Sequence, residues 1–215
     1  MRKIALSFFA LLFGGYLLAQ KYGVDTFAGF IVRAKDTTTG KVILPYKMVK
    51  GKKQYEDEEW YQQVTIVDGV GKEKMLLPTE ISSYGWSWND TSQAIFRSFQ
   101  VVVPRTGSYL MQGQRKPFLQ LEIEGPMSLY QYLHREGGER LTAFYRDRYL
   151  INEKGEVAVF KIKTFLGTGI AYDLKEVENW FEGYQELSKF NMKDMTTLEI
   201  LMLINGYNNW KKESH

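Results

Sequence analysis

Cysteine is absent from this chain. That excludes a disulfide framework, a thiolate nucleophile and a Cys–zinc site in one stroke. Histidine is nearly absent as well: the two present, His134 and His215, are too few for a His-rich zinc site. No excess of one charge persists. The 28 basic and 25 acidic residues give +3, and removal of Arg2 and Lys3 with a leader would leave +1. A balance so close to neutral carries no electrostatic footprint for nucleic acid or an anionic membrane. No internal repeat, low-complexity segment or cofactor-binding pattern is visible. Stability therefore has to come from a packed core. The chain has the material for one, with 14 Tyr, 13 Phe and 5 Trp among its 215 residues.

The long apolar run lies at the N-terminus. Arg2 and Lys3 precede Ile4–Ala19, which has no charge. A bilayer-spanning helix needs about 20 apolar residues, and this run is shorter, as in a secretory signal peptide. Gly14 and Gly15 break the run late, and Ala19 is small enough to precede a cut. Residues 1–19 are therefore expected to be a signal peptide, and Gln20 the first residue of the exported protein. The alternative is an uncleaved anchor, since Leu17 is bulky for its place before the cut. Without cysteine the chain is not a lipoprotein, so the expected location is periplasmic or extracellular, with no stable membrane anchor after cleavage.

Downstream, period-2 patterns dominate. Strands are expected over Thr26–Ala34, Lys41–Met48, Trp60–Asp68, Glu73–Leu77 and Gln93–Val103, then in two hairpins. The first hairpin is Pro117–Glu124 with Ser128–His134, turning at Gly125-Pro126. The second is Thr142–Ile151 with Glu156–Lys163, turning at Asn152–Gly155. Asp36–Gly40 reads as a turn, Lys50–Glu59 as a polar loop, and Pro45 marks an edge or a bulge. From Asp173 the period changes. Leu174, Val177, Trp180, Phe181, Tyr184 and Leu187 fall at helical spacing after Asp173, with Glu176 three residues on. A second helix is expected from Thr196, again with a glutamate (Glu199) three later. Ile200–Ile204 is apolar all round, which predicts burial on more than one side. The expected fold is α+β, mainly β. An antiparallel β-rich body (roll, sandwich or partly open barrel) spans 20–166, and two C-terminal α-helices within 167–215 pack on it.

The chain resembles a family of exported proteins of unknown function from Bacteroidetes-type Gram-negative bacteria. The resemblance rests on the leader ending Ala19-Gln20, the strand Gly29-Phe30-Ile31-Val32, and Leu77-Pro78-Thr79-Glu80-Ile81 before an aromatic-rich turn. The segment Phe118–Tyr130 (FLQLEIEGPMSLY) and the ending Tyr207-Asn208-Asn209-Trp210 complete it. The chain departs from the family pattern in its longer charged insert, Lys50–Glu59. The resemblance implies export and a β-rich body with C-terminal helices. It carries over no catalytic residue.

Few groups could do chemistry. His134 would need a nucleophile and an acid; Ser128 and Asp147 are present, but no spacing links them. Glu122 and Glu124 share a strand face about 7 Å apart. Such a pair can serve glycoside hydrolysis, although catalytic carboxylates usually face each other across a cleft. Asp57-Glu58-Glu59 and Asp90 do not follow a calcium-loop pattern. Gly167-Thr168-Gly169 lacks the spacing and lysine of a phosphate loop, and Asn89-Asp90-Thr91 is formally a glycosylation sequon.

The best binding candidates are Tyr84, Trp86 and Trp88, which alternate in SSYGWSWND. In an extended segment their rings point to one side, as a platform for a sugar or a partner's side chains, or as a cap on one end of the β body. Tyr130 and Tyr132 likewise share a face and read as cross-strand packing. The expected function is a non-enzymatic envelope binding or interaction module, its partner an envelope protein or a glycan. A carboxylate-dependent polysaccharide hydrolase and a structural part of an outer-membrane assembly are the alternatives. On the platform reading, replacing Trp86 and Trp88 together is expected to weaken binding and leave folding intact.

Overall fold

A computed structural model describes residues 22–34, 36–55, 57–102, 114–138, 141–165 and 169–214. The leader, Gly167, Thr168 and His215 lie outside the described residues. Strands are numbered in chain order: β1 Tyr22–Arg33, β2 Asp36–Val49, β3 Lys52–Tyr55, β4 Val64–Val67, β5 Glu73–Leu76, β6 Ser83–Asn89, β7 Ser92–Ser98 and β8 Val101–Val102. Then come β9 Gln114–Arg115, β10 Phe118–Ile123, β11 Met127–Gly138, β12 Leu141–Asn152, β13 Val157–Val159, β14 Lys161–Phe165 and β15 Gly169–Asp173. One 11-stranded sheet runs β13-β12-β11-β10-β7-β6-β1-β2-β4-β5, with β3 also on β2. Every pairing is antiparallel, as expected for strands joined without helices. β8–β9 and β14–β15 form two small separate ribbons.

Two reversals are placed differently from the sequence expectation. Arg33 pairs with Asp36, so Asp36–Gly40 is strand and the chain reverses two residues earlier, after Ala34 (φ 50°). Lys50–Glu59 is not a loop. Lys50 (φ 50°) and Gly51 (φ 75°) make a two-residue turn between Val49 and Lys52, and β3 pairs back on β2. Positive φ at both central residues is what a tight hairpin needs to match strand twist. Trp60 does not open a strand. It lies in a 3-10 turn, Asp57–Tyr61, whose end is closed by the amides of Gln62 and Gln63 donating to the Glu59 carbonyl.

The sheet carries a core on each face. On one face Val42, Leu44, Ile66, Tyr84, Trp86, Phe96, Phe118 and Tyr149 are buried, and Tyr61 folds over them from the 3-10 turn. On the other face, α1 (Thr197–Glu213) packs against β11 and β15. Alternation assigns the sides: Tyr130 and Tyr132 enter the first core, Met127 and Leu129 the second. A strand buried on both faces loses its apolar–polar rhythm, which is why Leu129 and Tyr130 stand side by side in SLYQYL.

Among the described residues, the C-terminal segment holds one α-helix, not two. Residues from Asp173 make two 3-10 turns, Lys175–Phe181 and Gln185–Lys189. Gly183 at φ 83° and extended backbone at Glu182 and Tyr184 interrupt the helical pattern. The cap lies one residue later than expected: Leu174 stands at it without a side-chain bond, and the Asp173 carboxylate accepts from the Lys175 amide. At α1 the box forms as the sequence indicates, with Thr196 and Glu199 bonding reciprocally. Its burial is one-sided, however. Ile200, Leu203, Ile204 and Tyr207 are buried in the second core, while Leu198 and Met202 are exposed on the outer side.

Asn208 locks α1 to the sheet. Its carboxamide accepts from the Met127 amide and donates to the Met127 carbonyl, both at 2.8 Å. The helix thus imitates a strand partner for the first residue of β11. Asn208→Ala would leave a buried N–H and a buried C=O without partners, and is expected to cost about 2–3 kcal/mol. Urea unfolding with an unchanged m-value checks this.

Candidate functional site: an aromatic strip continuing the sheet core

Tyr84, Trp86 and Trp88 do share one side of β6, with successive ring centroids 5.9 and 5.5 Å apart. That side is the first core. Phe96 lies stacked against both Tyr84 and Trp86, at 4.8 and 5.2 Å. The Tyr84 hydroxyl donates to the Trp60 carbonyl. Tyr84 and Trp86 are each only 1% exposed, so neither ring offers a face to a ligand. On the opposite side of β6, Phe30 covers Gly85, where any Cβ would collide with its ring and with the Ala94 carbonyl.

Trp88 is different. It is 39% exposed and stands where the core runs out toward solvent. Four rings hold it: Phe27 at 4.8 Å, Trp86 at 5.5 Å, Tyr55 at 5.6 Å and Trp60 at 6.2 Å. Tyr55 in turn meets Tyr46, 6.1 Å away and directly opposite it in the β2–β3 ladder. The result is a strip of half-buried rings, Trp88–Tyr55–Tyr46, fixed from beneath.

A polar network borders the strip. The Lys53 ammonium donates to both oxygens of Asp25, at 2.6 and 2.7 Å, and lies 4.5 Å from the centre of the Tyr46 ring. The Tyr55 hydroxyl donates to Asp25 Oδ2 at 2.7 Å. The Lys53 and Tyr55 hydrogen bonds hold the Asp25 carboxyl below its usual value, and Asp25 raises the Lys53 ammonium. Partial burial, then the adjacent carboxylate, pushes the Tyr55 phenol up to about 12.

These shifts fix a pH window. With its folded pKa lowered, Asp25 contributes stability that is complete above its ordinary 3.8 and is lost as pH falls through the folded value. With its folded pKa raised, Tyr55 contributes stability that is present below 10 and is lost as pH rises toward about 12. NMR titration is expected to give an Asp25 midpoint below 3.8 and a Tyr55 midpoint near 12. Lys53→Met should return Asp25 toward its ordinary value.

The catalytic candidates are dispersed. Each glutamate has its own arginine: Glu122 accepts from Arg148 at 3.0 Å, and Glu124 pairs with Arg97. A β-bulge between Leu121 and Ile123 interrupts the ladder around Glu122. Ser128 closes the β10–β11 turn, its hydroxyl donating to the Gly125 carbonyl at 2.8 Å. His134, opposite Tyr145, is six residues along the same strand, about 20 Å from Ser128 by strand rise. Asp147 is buried opposite Tyr132. Asn89 of the sequon caps the β6–β7 turn, accepting from the Thr91 and Ser92 amides. Among the described residues, no three His, Asp or Glu side chains are grouped to hold a metal, and no helix is long and apolar enough to cross a membrane.

Phe27, Tyr55 and Trp60 were not legible as partners of Trp88, nor Tyr46 as a partner of Tyr55, since they come from β1, β3, a 3-10 turn and β2. The one available signal was the Lys50-Gly51 turn, which places Tyr55 opposite Tyr46. No family model, curated protein or solved structure matches the chain.

Proposed function

We propose that this chain is an exported, non-enzymatic binding protein of the bacterial envelope, and that it holds a glycan chain along Trp88–Tyr55–Tyr46. The carrying observation is the half-exposed Trp88, fixed by four rings beside the Asp25–Lys53–Tyr55 network. Sugar rings present C–H faces that lie on aromatic faces and hydroxyl edges that need donors and acceptors. The strip supplies the first and its border the second. Rings already held by neighbours lose little freedom on binding, which favours affinity. The charged leader-like N-terminus supports export. The arginine pairing counts against a hydrolase, because Glu122 and Glu124 are each engaged by a separate arginine and not directed together at a substrate.

Affinity electrophoresis in gels containing envelope polysaccharide tests this reading. The wild-type protein is expected to be retarded. Trp88→Ala should bind roughly thirtyfold more weakly, the effect of removing an aromatic anchor worth about 2 kcal/mol. Equal retardation of both proteins would contradict it.

A further inference from the structure

β2 has a window beside it. On one edge it pairs with β4 through Lys41–Ile43 and with β3 through Tyr46–Val49, and Leu44 and Pro45 pair with neither. Pro45 has no N–H to offer a ladder, so the gap suits the sequence. A cavity of about 290 Å³ fills it, near the lower end of small-molecule sites. Its wall includes Val24 and Pro45 from one side of the sheet and Leu44 and Trp60 from the core side. Glu59 and Glu73 also line it, and no lysine or arginine does. Neither glutamate makes an ion pair with a described residue. Trp60 adds a second oddity: its buried indole N–H has no hydrogen-bond partner among the described residues.

We infer that this window is a binding site for a small organic cation with a short apolar body, separate from the glycan strip. The apolar walls take the hydrocarbon part. The two carboxylates take the ammonium, and the ring of Trp60 adds cation–π attraction. An anion of the same shape meets two negative charges and no positive one, so the site discriminates by charge. Trp60 also touches Trp88 and Tyr55, at 6.2 Å each, so an occupant here rests against the back of the strip.

Hexylammonium and hexanoate, equal in length and opposite in charge, separate the possibilities. Each is titrated at pH 7 into the 15N-labelled protein, and the assigned indole N–H signals are followed. Hexylammonium is expected to shift the Trp60 signal saturably, with hexanoate binding at least about tenfold more weakly. Glu59→Gln/Glu73→Gln should weaken hexylammonium by a similar factor while the spectrum stays dispersed. Equal response to both probes, no saturable shift, or an unchanged affinity in the glutamine variant would each overturn the proposal. Polysaccharide retardation of that variant should stay at the wild-type level, which separates this site from the glycan strip.

Discussion

Trp86→Ala is expected to destabilise the protein by about 3–5 kcal/mol, and Trp88→Ala by only about 1 kcal/mol. The two residues are two positions apart on one strand and point the same way. Their difference comes from depth. Trp86 is 1% exposed and lies stacked against Phe96 and edge-on to Trp60. Its removal opens a cavity in a close-packed aromatic core that cannot collapse around the loss. Trp88 has neighbours beneath and solvent above, so truncation there empties no enclosed space. The Trp86→Ala/Trp88→Ala pair, harmless to folding on the platform reading alone, is therefore expected to melt far below wild type. Thermal unfolding of the two single variants checks the contrast, and similar melting temperatures would contradict it.

Arg148→Ala is the second large effect, about 3–5 kcal/mol. Arg148 is a nearly buried cation on the face covered by the C-terminal segment. It donates to Glu122 at 3.0 and 3.4 Å and to the Tyr172 hydroxyl at 2.8 Å, tying β12, β10 and β15 together. Removing it strands a carboxylate that is only 20% exposed. The cost then comes from an uncompensated charge more than from a lost attraction. Arg148→Met/Glu122→Leu, which removes both charges and keeps the volume, should recover most of the loss. If the double variant is no more stable than Arg148→Ala, the network acts through geometry and not through charge pairing. Urea unfolding of the three proteins decides between them.

Much of the β framework could be read from the chain because it is encoded locally. Leu119 and Leu121 alternate with polar residues and share the first core, although the bulge after Leu121 sends Ile123, expected on the same face, to the second. Asn152–Gly155 and Gly125-Pro126 mark real turns, and Thr196 with Glu199 marks the real start of α1. The misplaced parts have physical causes as well. The first reversal uses Ala34, and the next uses Lys50 before its glycine, residue types that composition does not mark as turn formers. The helical spacing from Leu174 to Leu187 is genuine, but Gly183 cuts it into 3-10 turns that still bury Val177 and Phe181. The site was legible only in part. Period 2 put Tyr84, Trp86 and Trp88 on one side, but no local pattern says whether that side meets core or water. Depth is decided by residues outside the segment: Phe96 and Trp60 seal Trp86, while Trp88, held by Phe27 and Tyr55, stands at the solvent side of the core.

The glycan strip is tested most directly by mapping where an oligosaccharide touches the protein. Cello-, chito- and laminari-hexaose would be titrated into the 15N-labelled protein, with the indole signals and the amides of β1, β3 and β6 followed. The strip predicts saturable shifts at Trp88, Tyr55 and Asp25 with at least one of these sugars, little change at Trp86, and loss of the response in Trp88→Ala. No saturable shift with any of them, or shifts centred elsewhere and retained in Trp88→Ala, would contradict it.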